Sequence, residues 1–388
     1  MEIARGLAAR GHSVTVLTGL PNYPAGKIYP GYRVRPVQRE RIDGIDVVRV
    51  FLYPSHSTSA LGRAVNFCSF MIFSVFGAFT IGSCDALYVW HPPLTIGVSA
   101  WIIGMIKRAP IVYDVQDIWP ESGIWSGMLQ NRILIDLLRI LEKFVYARAH
   151  HLLVVTEAAR QNLMGKGVSP SKVSVVSQLI DDDLFAVSDP ERVRAIQEKY
   201  GFARRFVIMF AGNIGLLQGL EAVLVAAQQL DDVPQVLFVL VGDGVDRERL
   251  LQKAEGMGLT NVLFVDRRPE SDMPNFMAAA DVMLLSLKYS DVCEFSIPLK
   301  TFAYMAASRP ILAAIKGAAA DIVVKANAGL VVPPEEPRAI ADAVRLFVRM
   351  PEDERRRIGA AGRAYMTTHH SREKMLDKYV EIITLNVS

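Results

Sequence analysis

The chain has 388 residues, of which 51% are hydrophobic and 21% are charged, and its formal net charge is +3. That length exceeds what one hydrophobic core usually organises, so we expect two domains. The small net charge argues against nucleic-acid binding, which requires concentrated positive charge. The three cysteines are widely spaced and show no metal-ligand pattern, which favours a reducing compartment over a disulfide framework.

The first elements of the chain are unusual for an α/β protein. Residues 1–10 predict a helix that stops at Gly11, and residues 13–18 then alternate as a strand. Such a domain normally begins with a strand and a phosphate-facing loop before its first helix. We therefore expect the first strand of the N-terminal domain to be missing from this sequence, through a mis-assigned start or because the sequence is a fragment.

The remaining pattern is typical of parallel α/β units, since apolar β-branched runs alternate with helical segments. The first half predicts strands at Val14–Leu17, Asp46–Phe51, Ala86–Trp90, Ile111–Asp114, Leu152–Thr156 and Val173–Val176. The second half predicts strands at Phe206–Ala211, Val236–Val241, Val262–Val265, Val282–Ser286, Ile311–Ala314 and Gly329–Val332. We interpret the polar stretch from Asp181 to Arg194 as a linker. The expected fold is two Rossmann-like domains, residues 1–185 and 200–370, that face each other across a cleft. A final helix occupies residues 371–388.

One segment is more apolar than an ordinary globular domain requires. From Ala64 to Cys84 the sequence carries no charged side chain. About 20 apolar residues are enough to cross a bilayer, but a span here would separate neighbouring strands of one domain. We expect a helix at the membrane surface, assisted by the basic residues Arg33, Arg35, Arg39, Arg41 and Arg63. A helix buried in the domain core is the alternative.

The most informative motif is a glycine-rich turn at the start of the second half. The strand Phe206–Ala211 precedes it, and apolar residues recur at helical spacing after it. The turn contains Gly212, Asn213, Gly215, Gln218 and Gly219. Glycines at a strand-to-helix turn let backbone N–H groups approach an anion, and the N-terminus of the helix adds about half a positive charge. The turn therefore predicts a phosphate site, and its spacing differs from that of dinucleotide enzymes.

A second anion site is predicted near Pro298. Proline suits a helix start, and Lys300 and Thr301 would then present free first-turn N–H groups beside an ammonium. An ordinary helix start explains the same residues. The turn containing Gly242 and Asp243, and Arg268 after the next strand, are placed to contact a nucleotide base. A tight turn and a solvated charge explain these equally well.

In the first half, two loops that follow strands carry polar and aromatic residues. Asp117 is placed to orient a hydroxyl or to stabilise developing positive charge, and Trp119 to serve as a platform for a sugar ring. The early loop with Asn22 and Tyr23 is rigid and aromatic, and suits an acceptor pocket. Asp114 is instead expected to cap or pair within the sheet.

Taken together, these motifs resemble the GT-B glycosyltransferases of family 4, in particular the bacterial subgroup that builds O-antigen, capsule or exopolysaccharide units. The resemblance covers nearly the whole chain and rests on the runs LTGLPNYPAGKIYPGYR, VYDVQDIWPES, AGNIGLLQGLE, FVLVGDG and KTFAYMAASRPI. It implies an acceptor-binding N-terminal domain, a nucleotide-sugar-binding C-terminal domain, and a last helix that packs back on the N-terminal domain. It also implies a cytoplasmic protein, peripheral on the inner face of the plasma membrane.

The resemblance assigns roles residue by residue. Gly212, Asn213 and Gly215 match the diphosphate loop, and Gln218-Gly219 stands where many members carry Lys-Gly. Pro298, Lys300 and Thr301 match the stretch that meets the distal phosphate. Glu294 lies one position out of register with the first glutamate of the family's Glu-x7-Glu pattern, and Ala303 replaces the second, which usually binds the ribose. Asp117 and Trp119 match the acceptor-side motif.

The resemblance implies a retaining hexosyl- or N-acetylhexosaminyl-type transferase that needs no metal or other cofactor. Its implied donor is a nucleotide-diphosphate sugar, with UDP favoured, and its implied acceptor is a lipid-linked saccharide. The residues expected in catalysis are Asp117, Lys300 and Glu294. Two other interpretations stay open: an inactive or weakly active GT-B protein that acts as a membrane-associated partner, and a nucleotide-sugar 2-epimerase.

Overall fold

The structure is a computed structural model that describes residues 1–22, 26–55, 60–125 and 127–385. The chain divides into two compact units. Unit 1 comprises Met1–Leu179 and Met375–Ser388, and unit 2 comprises Ile180–Lys374.

Unit 1 contains two sheets in the part of the chain that the structure describes. Its strands are β1 (Thr15–Gly19), β2 (Val37–Ile42), β3 (Ile45–Val50), β4 (Leu87–His91), β5 (Ile111–Val115), β6 (His151–Val154) and β7 (Val173–Val175). The first sheet has the order β1-β3-β2, and the second is parallel with the order β4-β5-β6-β7. Its helices are α1 (Glu2–Ala9), α2 (Ala60–Ala78), α3 (Ile96–Lys107), α4 (Glu121–Trp125), α5 (Arg132–Arg148) and α6 (Glu157–Gly165). The predicted strands of this half are present, with ends displaced by one or two residues.

The antiparallel strand β2 was not predicted from the sequence. It forms a hairpin with β3 through a two-residue turn, in which Asp43 (φ 51°) and Gly44 (φ 80°) both adopt the left-handed conformation. This turn matches the twist of antiparallel strands, which is why Asp-Gly is common there. Arg39 and Arg41, expected to meet lipid headgroups, therefore lie on a strand, and Arg41 Nε donates to the carbonyl oxygen of Gly44 (3.0 Å).

Helix α2 covers most of the predicted apolar segment. One face packs against α3, β1 and β3, and Ser74, Gly77 and Ala78 are buried there. The other face exposes Ile72 and Phe76, so the helix is neither fully buried nor fully free. Among the described residues, none of the helices combines the length and the apolar character that crossing a membrane requires.

Unit 2 is a parallel α/β unit. Its helices are α7 (Asp182–Ala186), α8 (Pro190–Tyr200), α9 (Leu220–Gln228), α10 (Arg247–Gly256), α11 (Met273–Ala278), α12 (Leu299–Ala306), α13 (Ala318–Lys325), α14 (Pro337–Arg349) and α15 (Glu352–His370). Its strands are β8 (Phe206–Ala211), β9 (Val236–Val241), β10 (Val262–Val265), β11 (Val282–Ser286), β12 (Ile311–Ala314) and β13 (Gly329–Val332). The bounds of these six strands are the ones predicted from the sequence. The stretch interpreted as a linker instead contains α7 and the start of α8.

The strands of unit 2 form one parallel sheet with the order β10-β9-β8-β11-β12-β13 within the described residues. Strands β8, β9, β11 and β12 are buried along their whole length, because helices cover both faces of the sheet. The strand order reverses beside β8, so the carboxyl ends of β8 and β11 flank the crevice where such sheets bind ligands.

The last helix, α16 (Arg372–Leu385), contributes to the core of unit 1 from Met375 onward. Met375, Tyr379 and Ile383 are buried in a cluster with Val112 of β5 and Leu153 of β6. Tyr379 also hydrogen-bonds Asp114 (3.3 Å), so the C-terminal segment is part of the interior of this unit.

Candidate active site

The glycine turn after β8 contains backbone conformations that residues with side chains rarely adopt. Gly212 has φ 144°, and Gly219 has φ 64° at the position just before α9. The N-cap residue of α9 is Gly219, which has no side chain to accept from the first N–H groups of the helix. A helix N-terminus without such a cap is an arrangement that receives phosphate oxygens.

The turn after β9 packs directly on this loop. A Cβ atom at Gly242 would lie 1.9 Å from the carbonyl oxygen of Gly212, and one at Gly244 would lie 2.3 Å from the carbonyl oxygen of Ile214. The side chain of Asn213 lies beside the Cα atoms of Gly215 and Gly244, within 2.8 Å of both positions that a Cβ would occupy. Glycine is needed at 242 because two backbones meet there. Gly242 therefore has a structural role in shaping the loop.

Lys300 of α12 brings an amine to the same loop. Its Nζ donates to Oε1 of Gln218 (2.5 Å), lies 4.1 Å from the centre of the Phe210 ring, and is 3.6 Å from the position of a Cβ at Gly212. Burial lowers the pKa of Lys300 to about 7. The amine is therefore close to the point at which it gains or loses a proton near neutral pH.

Tyr304, which the sequence analysis did not single out, fixes the distance between α12 and β8. Its hydroxyl accepts from the backbone N–H of Ala211 and donates to the carbonyl oxygen of the same residue, both at 3.0 Å. The ring is fully buried. Because Ala211 precedes Gly212 and Tyr304 lies one turn after Lys300, this pair of bonds holds the amine beside the glycine turn.

The residues around Lys300 correct one sequence-based expectation. The N–H of Thr301 already donates to the carbonyl oxygen of Pro298 (2.9 Å), and Thr301 is fully buried, so this residue does not present a free N–H group. Pro298 is the residue immediately before α12, and Ala303 is buried. Glu294 is exposed in the short helical turn Asp291–Glu294.

Lys288 is a second cation beside the loop that sequence reasoning missed. Its backbone N–H donates to the carbonyl oxygen of Leu217 (2.8 Å), and its Cγ lies 3.5 Å from the position of a Cβ at Gly219. Its amine has no hydrogen-bond or ion-pair partner within the described residues. The sequence feature that could have identified Lys288 is its position two residues after β11. The carboxyl ends of β11 and β8 lie at the same edge of the sheet.

The residues expected to contact a base have partners of their own. Asp243 is exposed and accepts from the N–H of Gly244 (2.8 Å), as a turn residue does. Arg268 donates to the hydroxyl of Tyr200 (2.5 Å) and lies 5.8 Å from the centre of the Phe276 ring. Base contact by either residue remains a prediction.

In unit 1, Asp117 and Trp119 follow β5 as predicted. Asp117 is half-buried, and burial raises the pKa of its carboxyl group. Trp119 packs beside Gly123 of α4, where a Cβ would lie 3.0 Å from its indole ring.

Asp114 accepts from Tyr88 and Gln116, and burial raises its pKa to about 6. Its expected role within the sheet is confirmed.

The structure describes only part of the loop that follows β1. Asn22 donates from Nδ2 to the carbonyl oxygen of Leu20 (2.9 Å) and lines a cavity at the end of β1. Tyr23, the other residue expected there, lies outside the described residues.

These features define a class of protein: a two-unit α/β protein in which one unit has a doubly wound parallel sheet with a glycine-rich turn as its candidate anion site. Comparison with known families is more specific. Residues 1–178 match the family described as "Glycosyl transferase 4-like domain", and residues 193–365 match "Glycosyl transferases group 1". The chain belongs to the GT-B glycosyltransferases of the family 4 type, and it is a glycosyltransferase.

Two of the relatives that the chain matches are bacterial proteins. The chain is 25% identical over 299 residues to a protein of Escherichia coli K12 described as the colanic acid biosynthesis glycosyl transferase WcaI, covering 74% of this chain and 72% of that protein. It is 27% identical over 273 residues to the glycosyltransferase WbjE of Pseudomonas aeruginosa, covering 69% and 66% of the two chains.

Solved structures share the fold. Anabaena HepE in complex with UDP and glucose aligns with a TM-score of 0.70 at 20% identity, covering 88% of this chain and 86% of HepE. Sucrose-phosphate synthase from Thermosynechococcus elongatus aligns with a TM-score of 0.76 at 18% identity, covering 99% and 91%. These likenesses support the predicted fold of two Rossmann-like domains.

The environment of Lys300 predicts that binding of a nucleoside diphosphate takes up a proton. A bound diphosphate favours the charged amine and raises the pKa of Lys300 above about 7, so at pH 8 binding recruits up to one proton. The affinity for UDP should fall as pH rises above 7, by at most about tenfold per pH unit. Above pH 7 the phosphates of UDP are themselves almost fully ionised, so the expected fall in affinity is attributed to Lys300 and not to the phosphates.

Calorimetric titration of UDP at pH 8, in two buffers of different ionisation enthalpy, measures this uptake. The control is Lys300→Met, which should abolish it. Equal binding heats for the wild type in both buffers would contradict the prediction.

Proposed function

We propose that the chain is a retaining glycosyltransferase that moves a sugar from a nucleotide-diphosphate sugar, with a UDP-sugar favoured, to a lipid-linked saccharide in cell-surface polysaccharide synthesis. The observation that carries the proposal is the amine of Lys300 held at the Gly212 turn, beside the start of α9. UDP in complexes of HepE and the name of the colanic acid relative support the donor and the pathway.

The charge distribution of unit 2 suits stabilisation of a departing diphosphate. Negative charge develops on the leaving group as the glycosidic bond to the sugar breaks, and preorganised donors near that charge lower the barrier. Lys300, Lys288 and the N-terminus of α9 supply such donors without a metal ion. The leaving phosphate itself then accepts the proton of the acceptor hydroxyl, so sugar transfer needs no strong protein base.

A layer of three helices in unit 1 supports contact with a membrane surface. Helix α3 packs between α2 and α5, and each of the three exposes apolar side chains. On α5, Ile133, Leu137 and Ile140 form an exposed stripe. The exposed basic residues Arg132 and Arg139 lie one position before Ile133 and Ile140, and the exposed Lys143 lies three positions after Ile140. Apolar and basic stripes side by side are typical of helices that lie at anionic lipid surfaces. We propose that this layer, which includes the Ala64–Cys84 segment, holds the protein on the inner face of the plasma membrane.

Vesicle binding tests the layer. The full chain should co-sediment more with phosphatidylcholine vesicles that contain phosphatidylglycerol than with phosphatidylcholine alone. A Leu137→Ser/Ile140→Ser variant should lose binding about tenfold, since two exposed apolar side chains leave the lipid. The control is Val187→Ser, which changes an exposed apolar residue of unit 2. Unchanged binding of the α5 variant would contradict the assignment.

Release of nucleoside diphosphate separates the transferase from the other interpretations. A panel of UDP-, GDP- and dTDP-sugars is incubated with the full chain, with and without membrane lipid extract. We expect UDP release from a UDP-sugar that depends on the extract. No release under any condition would favour the inactive partner, and release without the extract together with an altered sugar would favour the 2-epimerase.

A further inference from the structure

A cavity of about 630 Å³ in unit 1 is lined by residues 173–176, which include the whole of β7. In the part of the chain that the structure describes, β7 is the last strand of its sheet, so its outer side has no partner strand. Glu157 and Arg160 of α6 and Lys378 and Glu381 of α16 line the same cavity. The cavity is therefore a groove at a free sheet edge between two helices, and extended chains bind at such edges by adding a strand.

The backbone of β7 is able to pair with a further strand. Successive residues of a strand direct their N–H and C=O groups alternately to its two sides. The N–H of Val176 donates to the carbonyl oxygen of Val154, at the end of β6 (2.9 Å). The carbonyl oxygen of Val173 instead accepts from Nε of Arg160 (3.3 Å), on the side of the groove. Val175 has the same direction as Val173, so its N–H and C=O groups face the groove, and the residue is 36% exposed.

The charges of the groove are self-complementary. Glu157 and Arg160 already pair with each other (3.1 Å). Lys378 and Glu381 are exposed, lie one helical turn apart on α16, and form no ion pair within the described residues. Free edges are often protected by charges of one sign, which repel a second copy of the same edge. One unpaired charge of each sign has the opposite effect, because a two-fold rotation brings each charge to its counterpart.

We propose that this groove is the interface of a symmetric dimer, in which β7 pairs antiparallel with β7 of a second copy of this chain. Val175 then lies at the two-fold axis and exchanges two N–H···O bonds with the partner's Val175, as directly opposed residues of an antiparallel pair do. Lys378 faces the partner's Glu381, and Glu381 faces the partner's Lys378. The two sheets become one continuous sheet.

The symmetry of this pairing also agrees with the proposed membrane layer. Val112 of β5 packs in a cluster with Tyr379 of α16, whereas a Cβ at Gly104 of α3 would lie 3.1 Å from the side chain of Ile111. Neighbouring strand residues point to opposite faces, so α16 and α3 lie on opposite faces of the sheet. An antiparallel two-fold axis stands perpendicular to the sheet and keeps each helix on its own face. Both copies of α3 and its neighbours therefore lie on one side, where a single membrane surface can meet them.

Sedimentation velocity of the full chain tests the interface through its charges. We expect a reversible dimer in the micromolar range. Lys378→Glu and Glu381→Lys should each weaken association roughly tenfold or more, because like charges then face each other across the axis. The double variant Lys378→Glu/Glu381→Lys restores opposite charges and should associate within about threefold of the wild type. The control is Lys325→Glu, which reverses an exposed lysine of α13 and should have no effect.

Val175→Pro tests the strand pairing itself. Proline removes the N–H donor at the groove and is tolerated in edge strands, so the variant should fold and remain monomeric. Circular dichroism and thermal melting check the folding of every variant, and the double charge variant decides the question if Val175→Pro does not fold. A wild-type chain that stays monomeric, or a dimer that Lys378→Glu leaves unchanged, would overturn the inference. A double variant as weak as the single ones would also overturn it. Vesicle binding and sugar transfer are separate readouts, and their failure would count against the proposed function alone.

Discussion

Replacement of Lys300 by alanine is expected to lower kcat/KM for sugar transfer by roughly 10²–10³-fold, with weaker UDP binding in parallel. The amine lies at the Gly212 turn and is oriented by Gln218 and Phe210, so its removal takes a positioned positive charge from the loop. The loss of binding affinity should appear with UDP and be absent with uridine, which lacks the diphosphate.

Two variants control for the loss of a partly buried side chain. Lys300→Met keeps the length of the stem and removes the charge, so it should resemble Lys300→Ala in activity while retaining thermal stability. Lys325→Ala removes an exposed lysine at the end of α13 and should have no effect. Turnover close to wild type in Lys300→Ala would remove this residue from phosphate binding.

The second large effect is expected for Gly242→Ala. The added methyl group would lie 1.9 Å from the carbonyl oxygen of Gly212, at a backbone with φ 148° that other residues rarely adopt. Either the Gly212 loop moves or the chain is strained, and both disturb the anion site. We expect the free energy of unfolding to fall by about 3 kcal/mol or more, together with loss of UDP binding.

Gly256→Ala is the matched control for this prediction. Gly256 is the last residue of α10 in the same unit, and a Cβ there meets no atom within 4 Å. The control should be neutral or slightly stabilising, because alanine favours helix by about 1 kcal/mol relative to glycine. Thermal melting of the full chain and calorimetry with UDP measure both variants. Equal melting temperatures for the two would contradict the close contact at Gly242.

The sequence predicted unit 2 better than unit 1 for a physical reason. All strands of unit 2 are parallel, and the four inner strands β8, β9, β11 and β12 are buried along their whole length, so their continuous apolar runs mark their ends clearly. Strand β2 instead carries the alternating sequence Val37–Ile42 with exposed Arg39 and Arg41, and only its turn gave a signal. The pair Asp43-Gly44 between Ile42 and Ile45 was that signal, and it was overlooked.

In the candidate site, sequence reasoning identified residue types but could not supply their mutual contacts. Gln218 stands where many members of the family carry lysine, which predicts one phosphate-binding charge fewer in this loop. The structure shows that its amide oxygen accepts from Lys300, so a lysine at 218 would place two ammonium groups together. Tyr304 and Lys288 were missed because their relevance depends on which strands are neighbours, here β8 and β11. Chain order alone does not contain that information.

The sequence did not predict the exposed apolar stripe of α5, since the uncharged run Ala64–Cys84 is the stronger signal of a membrane-surface helix. Ile133, Leu137 and Ile140 alternate with charged residues and resemble the core face of an ordinary amphipathic helix. Only the structure shows that this face is exposed.

The most direct test of the proposed transfer is to follow the anomeric carbon of a ¹³C-labelled UDP-α-sugar by NMR. The full chain is incubated with the labelled donor and membrane lipid extract, and the reaction is repeated with Lys300→Ala. The proposal predicts a new α-linked product in the lipid fraction, formed with UDP and nearly absent in the variant. An unchanged donor across the UDP-sugar panel, or a label found only as free sugar, would contradict it.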